Sequence, residues 1–222
     1  MSRRYLFLLI LCSACRSQVA ISLPARAANA PSGEAFYKKI IPLSREEREA
    51  IALQEILAGN VPGFLKKFSS IKISITDSAG NTIDGEYFVM PDYLSIGNDA
   101  GFARIPLTPM TAQRIADSLR CFLPTRKMVN DIYRHAPVKL EPVPLLDHRD
   151  SALIFWHHHL IIEGQRKGRS GLIAGIKKDV VISGKIARDT RPDRVAIYGW
   201  HKPDGLPIQP LYTGHINWYV DY

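Results

Sequence analysis

Residues 71–90 read IKISITDSAGNTIDGEYFVM, and this stretch decides the fold class. Its isoleucines at positions 71, 73 and 75 alternate with polar residues, which is the period-two pattern of a half-buried β-strand. Residues 77–81 have the composition of a turn, and a second strand-like run follows over residues 82–90. The stretch therefore predicts an antiparallel hairpin rather than one strand of a βαβ unit.

Helix signals stand on both sides of this hairpin. Ser44 and Glu47 form a capping-box pattern, which predicts a helix that runs to about Ala58 and stops at Gly59. Further helices are predicted over about residues 110–120, 125–135 and 152–165, the last of them largely buried. Strands are predicted over residues 179–183, 194–199 and 216–222, and a loop over residues 93–99.

The order of these elements predicts the fold class. An N-terminal helix and β-hairpin, central helices and C-terminal antiparallel strands that form a sheet indicate a single α+β domain over residues 36–222. About 190 residues are enough to bury a core of their own.

The N-terminus has the order of a secretion signal. Two arginines precede an apolar run over residues 5–11, which is too short to span a bilayer. Ser13-Ala14-Cys15 resembles a lipobox and would place a lipid anchor on Cys15, whereas Ala28-Asn29-Ala30 fits small-x-small cleavage. We expect residues 1–30 to be a signal peptide, or a lipoprotein signal plus linker, and the protein to be exported, periplasmic or extracellular.

Export changes what the charge predicts. Residues 1–30 hold four arginines and no acid, so the formal charge of +8 falls to +4 without them. This mildly basic balance argues against nucleic acid as a partner and is compatible with attraction to an anionic cell-envelope polymer. The sequence has no transmembrane stretch, no Walker loop, no dinucleotide fingerprint and no serine-hydrolase elbow.

The remaining cysteine and the run of histidines predict structural roles. Only Cys121 of the three cysteines falls in the predicted domain, and it follows a helix C-terminus, where no helix dipole favours a thiolate. We expect a small buried cysteine there. His157, His158 and His159 cannot all face one metal ion, because helix neighbours point about 100° apart. His159 and Glu163, one turn apart, are expected to form a polar pair.

Residues 198–205, YGWHKPDG, are the densest run of aromatic and reactive groups. His201 is expected at a strand end, where its side chain can project into a cleft. His215 and Asp221 follow closely, so the three are predicted to meet in one pocket. They would act as zinc ligands with an open position for water, or as a general base with its orienting groups. Surface histidines on a sheet edge are the alternative.

Two further groups of candidate residues accompany this cluster. Lys178 and Asp179 open a predicted strand, where the lysine can bind an anionic group and the carboxylate can orient a histidine. A solvated strand start is the alternative. The predicted stacking platform for a sugar or peptide consists of Trp200, Trp218, Tyr212 and Tyr219.

Three strings, MTAQ at residues 110–113, LPTRKMV at 123–129 and VAIYGWH at 195–201, resemble an uncharacterised family of exported bacterial proteins. The resemblance covers about residues 50–222 and implies export and architecture but no activity. Relatives continue past Tyr222 with Ser-His-Gly and a further strand, and some have histidine where Ile176 stands. The resemblance therefore implies a truncated copy that lacks two imidazoles.

Together these patterns favour an extracytoplasmic hydrolase that acts on a cell-envelope polymer, with His201, His215 and Asp221 as its core. Lys178 and Asp179 would be supporting groups. A non-catalytic envelope protein that binds a glycan or peptide through its aromatic residues is the second hypothesis. A lipid-anchored interaction module without small-molecule chemistry is the third.

Overall fold

The computed structural model describes residues 19, 21–145, 148 and 150–215. Most of the predicted signal, with Cys15, lies outside the described residues, as do Trp218, Tyr219 and Asp221. Within the described part, no helix combines the length and the apolar composition that crossing a membrane requires.

The described residues form five α-helices and nine strands, most of them short. The helices are α1 (Gly33–Ile40), α2 (Arg45–Leu57), α3 (Pro109–Ser118), α4 (Arg126–His135) and α5 (Ala152–Arg166). The strands are β1 (Ser69–Thr76), β2 (Thr82–Val89), β3 (Ser95–Asn98), β4 (Gly101–Arg104), β5 (Val138–Lys139), β6 (Ile173–Ala174), β7 (Lys178–Val181), β8 (Arg194–His201) and β9 (Pro207–His215).

The predicted α+β class is confirmed. β1 pairs with β2, and β3 with β4, as antiparallel hairpins, while β7, β8 and β9 form an antiparallel sheet in that order. Among the strands of the described residues, β5 and β6 are the pair that runs parallel, over two residues, and an isolated parallel bridge joins Thr125 to Ile182. The capping box of Ser44 and Glu47 forms as predicted, because each residue's side chain accepts a hydrogen bond from the other's backbone N–H.

The loop prediction for residues 93–99 is wrong. Residues 95–104 form the β3–β4 hairpin, which lies on α1 and contributes Ile96 and Ala103 to the largest core cluster. Gly97 interrupts the strand pattern in the sequence. The position nevertheless requires glycine, because its φ is +121° and a Cβ there would stand 2.3 Å from the carbonyl oxygen of Gly101.

α5 is less buried than its composition predicts. Its exposed face carries Leu153, Leu160 and Ile161, with exposed fractions of 40 to 47%. Its buried face carries His158 and His159, with exposed fractions of 3% and 5%. The helix therefore places two imidazoles where leucines would be expected.

The segment before α1 belongs to the folded structure. Ile21 and Leu23 pack against the largest core cluster, and Nε of Arg26 donates to Oδ1 of the buried Asn60 at 2.7 Å. The carbonyl of Pro24 lies against Gly59, where a Cβ would approach its oxygen to 2.1 Å. Ordered packing thus begins before Phe36, where the sequence predicted it to start.

Candidate functional site

The candidate site is built where α4 meets the C-terminal sheet. Val129 of α4 packs with Val181 of β7 and with Ala196 and Tyr198 of β8 in one buried cluster. This contact places the next residue of α4, Asn130, over the end of β8. His201, the last residue of β8, is only 3% exposed.

A single amide oxygen holds two side chains of β8. Oδ1 of Asn130 accepts a hydrogen bond from the Tyr198 hydroxyl at 2.8 Å and lies 2.9 Å from Nε2 of His201. Because an amide oxygen can only accept, we assign the proton of neutral His201 to Nε2. Nδ1 then keeps its lone pair, and no residue that the structure describes offers it a hydrogen bond.

A bulge in β8 makes this arrangement possible. Residues three apart on a regular strand point to opposite faces, so Tyr198 and His201 would not both reach Asn130. The pairing of β8 with β9 shifts register between Ile197 and Gly199, and Gly199 and Trp200 both have positive φ, +107° and +60°. The extra residue turns the end of the strand and re-aims His201.

Aromatic rings fix the His201 imidazole. Tyr133 stacks on it with ring centroids 4.5 Å apart and an interplanar angle of 20°. The Tyr133 hydroxyl donates to the carbonyl of Lys202 at 2.6 Å, which anchors this ring. Burial lowers the pKa of His201 below its ordinary value, so the imidazole is neutral at pH 7.

Asp179 and His201 line the same small cavity. β7 pairs with β8 so that Asp179 stands opposite Tyr198, and Lys178 opposite Gly199. A Cβ built on Gly199 would lie 3.3 Å from Oδ2 of Asp179 and 3.9 Å from Cε1 of His201. Gly199 thus leaves open space between a carboxylate and the imidazole.

His201 forms part of the wall between two spaces. One is a surface groove of 450 Å³, here called the outer groove, which is also lined by Asn130, Arg134 and Lys139. The other is a smaller cavity of 150 Å³, here called the inner cavity, which is also lined by Asp179. The ring is therefore accessible from a groove and from a cavity despite its low overall exposure.

A third space, here called the apolar chamber, lies on the far side of Asp179. It has a volume of 260 Å³ and a mostly apolar lining drawn from α3, α5 and β7. Four residues line both the chamber and the inner cavity: Met90, Tyr93, Lys177 and Asp179. These four side chains separate the two spaces.

A buried ionic cluster closes one end of this chamber. Arg104, 5% exposed, donates from Nε to Oδ1 of Asp92 at 2.8 Å, and its Nη1 lies 2.8 Å from Oε1 of Glu163. His159 lies 3.4 Å from the same guanidinium, so Arg104 bridges the predicted polar pair of His159 and Glu163. Two carboxylates balance this one buried cation.

Both buried histidines of α5 are neutral. Burial, with the nearby charge of Lys177, lowers the pKa of His158 to about 3. Burial, with the charge of Arg104, lowers the pKa of His159 to about 4. The sequence predicts a poor metal site at this run, and nothing local in it indicates the cavity that both imidazoles line.

The predicted meeting of His201 and His215 is wrong. His215 pairs through its backbone with Arg194, at the opposite end of β8 from His201. The separation is roughly 23 Å at a strand rise of about 3.3 Å per residue. One zinc ion cannot bind both residues, and the described residues contain no group of three metal-ligating side chains.

The other predicted residues lie apart from this centre or outside the description. Tyr212 is exposed on β9, and Trp200 is half-buried, with an indole Nε1 that has no hydrogen-bond partner among the described residues. Cys121 is half-buried, whereas the sequence predicts a buried cysteine, and partial burial raises its pKa. This shift disfavours the reactive thiolate.

Sequence reasoning missed the residues that position His201. Asn130 and Tyr133 lie in a helix with ordinary amphipathic spacing, and nothing local links them to β8. The one signal in the sequence is Tyr198, three residues before His201, because a tyrosine hydroxyl that becomes buried needs a hydrogen-bond partner.

No protein-family model, curated protein or solved structure matches this chain. The functional conclusion therefore depends on the geometry of the chain itself.

Proposed function

We propose that this protein is an exported hydrolase that acts on a cell-envelope polymer, with His201 as the general base that activates water. One observation carries the proposal: Nε2 of a buried, neutral His201 is fixed on Asn130 while Nδ1 has no partner among the described residues. A base held in this way is ready to take a proton from water at neutral pH.

Neighbouring charges support this role. The Asp179 carboxylate near Cε1 would stabilise the imidazolium that forms when His201 takes the proton. Lys178, the other supporting residue predicted on β7, would favour the negative charge that develops on a carbonyl oxygen. The β7–β8 register, which pairs Lys178 with Gly199 and Asp179 with Tyr198, supports these roles because both partners lie within three residues of His201.

The outer groove supports a substrate with anionic groups, which Lys139 can bind, since Arg134 is already paired with Asp131. Arg134 and Lys139 line it with His201, and Asp204 is its acidic residue. The secretion-signal pattern of residues 1–15 supports a substrate in the cell envelope, because an exported enzyme would meet its substrate there. The proposal includes the lipid anchor at Cys15.

Product release from isolated bacterial envelopes tests the proposal. His201→Gln keeps an N–H donor for Asn130 but removes the base, so turnover should fall at least about 100-fold with little change in Tm. His215→Ala, at the other end of the hairpin, should retain activity. Equal turnover by wild type and His201→Gln would contradict the proposal.

A non-catalytic envelope-binding protein is the second candidate. The partly exposed Trp200 and the exposed Tyr212, on the β8–β9 hairpin, favour it, because aromatic faces bind sugars and peptides with little loss of entropy. In this case the protein should cosediment with envelopes, release no product, and lose binding in the Trp200→Ala variant but not in His201→Gln.

A further inference from the structure

The apolar chamber is large enough to hold a hydrocarbon ligand. Ile115, Ala116, Leu119 and Phe155 line it, and each of them is no more than 8% exposed. Well-packed interiors have few voids larger than a water molecule, whereas the chamber measures 260 Å³. A cavity of about 150 Å³ lined by leucine, isoleucine and phenylalanine already stays dry and binds benzene.

The polar groups of the chamber favour an uncharged ligand. The guanidinium of Arg104 forms its ion pairs inside the protein, and the imidazoles of His158 and His159 are neutral. The other charged residues of the lining also take part in interactions within the protein: Lys177, Lys178 and Asp179. An uncharged chain enters such a space without the cost of removing a charge from water.

A surface groove of 460 Å³, here called the apolar groove, adjoins the chamber. Met90, Cys121 and Pro124 line both spaces, so the groove and the chamber meet at these three residues. Phe88 and Phe122 also line the groove, and their exposed fractions are 41% and 64%. Exposed apolar side chains grouped in a groove mark a binding surface. Met90 is unbranched and can change rotamer readily, which suits a residue between two such spaces.

We propose that the apolar groove and the apolar chamber together bind one alkyl chain of an uncharged lipid, with the end of the chain in the chamber and the polar head at the groove. His201 lines neither space. The site is therefore separate from the proposed catalytic centre and does not depend on hydrolysis.

Calorimetric titration of the full chain with straight-chain alcohols tests the site. From hexan-1-ol to decan-1-ol, each added methylene should tighten binding about three- to fourfold, because each one leaves water for an apolar space. The heat-capacity change on binding should be negative, which marks the burial of apolar surface. An affinity that does not change with chain length would overturn the proposal.

Two further ligands test whether the bound chain is uncharged and ends in the chamber. Octane-1,8-diol should bind at least about tenfold more weakly than octan-1-ol, because its second hydroxyl would enter the apolar lining. Octanoate should bind no more tightly than octan-1-ol. Tighter binding of octanoate, or equal binding of the diol, would overturn the assignment of an uncharged apolar chain.

Cys121 reports on the junction between the two spaces, because it lines both. At about ten times its Kd, decan-1-ol leaves about one protein molecule in eleven empty, so a maleimide should label Cys121 about tenfold more slowly. Peptide mass spectrometry distinguishes this thiol from Cys12 and Cys15. An unchanged rate of labelling at Cys121 would contradict the site.

Filling the chamber tests its location. Ala116→Trp should abolish decan-1-ol binding, while Met110→Trp, on the exposed side of the same helix, should not. Ala112→Phe, one turn earlier in the lining, replaces Ala116→Trp if that variant loses its native circular dichroism spectrum. Unchanged decan-1-ol binding in a folded, filled variant would refute the chamber as the site.

The lipid site and the proposed function fail separately. His201→Gln should bind decan-1-ol with the affinity of the wild type even though it loses hydrolysis. Loss of decan-1-ol binding in a folded His201→Gln variant would place the ligand at the catalytic centre and overturn the separate site. Decan-1-ol binding by a wild-type protein that releases no product would support the lipid site and remove the enzyme.

Discussion

Asn130 and His201 are separated by 71 residues in the chain, yet Oδ1 of Asn130 lies 2.9 Å from Nε2 of His201. The same oxygen accepts the hydroxyl of Tyr198. Tyr198 and His201 would point to opposite faces of a regular strand, and they converge on one acceptor only because the strand bulges between them. The conformation of this bulge should therefore determine the position of the candidate base, His201.

Gly199→Ala should lower the rate of hydrolysis much more than its small loss of stability would explain. Its φ of +107° strains any L side chain, and its Cβ would meet Val129 Cγ1 at 3.0 Å, so the bulge must shift and move His201. Gly80→Ala is the matched control, with a φ of +86° and nothing within 4 Å. Both variants should lose about 1 kcal/mol of stability, but only Gly199→Ala should lose most of its hydrolysis. Equal hydrolysis rates in the two variants would argue against positioning by the bulge.

Removing one partner of the buried pair of Asp92 and Arg104 should strongly destabilise the fold. Asp92→Asn keeps the shape but leaves the Arg104 guanidinium with Glu163 as its remaining carboxylate, which should cost about 3 kcal/mol in urea unfolding. Glu34→Gln breaks the exposed pair with Lys38 and should cost about 0.5 kcal/mol or less. Similar losses of unfolding free energy in both variants would show that the buried pair matters no more for stability than an exposed pair.

His158 and His159 should make the fold sensitive to acid. In the folded protein their pKa values are about 3 and about 4, whereas the unfolded chain binds protons near the ordinary value of 6.5. Between about pH 6.5 and pH 4 the unfolded chain therefore holds more protons, so stability falls as the pH falls.

A His158→Gln, His159→Gln double variant should lose stability less steeply with falling pH. The expected difference is roughly 2–4 kcal/mol between pH 7 and pH 5, read from the slopes of denaturant unfolding rather than from absolute stability. His157→Gln, on the exposed side of the same helix, should keep the wild-type slope. Parallel slopes in the double variant and wild type would refute the assignment.

The segment before α1 should stabilise the domain. Arg26→Ala removes the donor to buried Asn60 Oδ1 and should cost about 1–2 kcal/mol, whereas Arg114→Ala, exposed on α3, should cost little. A chain that starts at Pro31 should melt below one that starts at Val19, because it also loses the packing of residues 21–23.

This contact bears on the two predicted cleavage points. Cleavage after Ala30 would remove Arg26, while processing before Cys15 would keep it. Equal melting temperatures for the two shortened chains would mean that the segment is dispensable.

The sequence by itself determined most elements of this protein. The capping box at Ser44, the alternation of residues 71–75 and the helix signals of residues 110–120 each specify local backbone geometry, and the helices and the hairpin they predict all form. Local signals of this kind depend on neighbours within a few residues, so they can be read from the chain.

Only the tertiary structure decided the site. Proximity in sequence suggested that His201 and His215 meet, but antiparallel pairing sends them to opposite ends of one hairpin. The partner of His201 instead comes from α4, brought there by the packing of Val129 on the C-terminal sheet. Such a contact joins distant residues through buried apolar surface, and no periodicity or spacing in the chain encodes it.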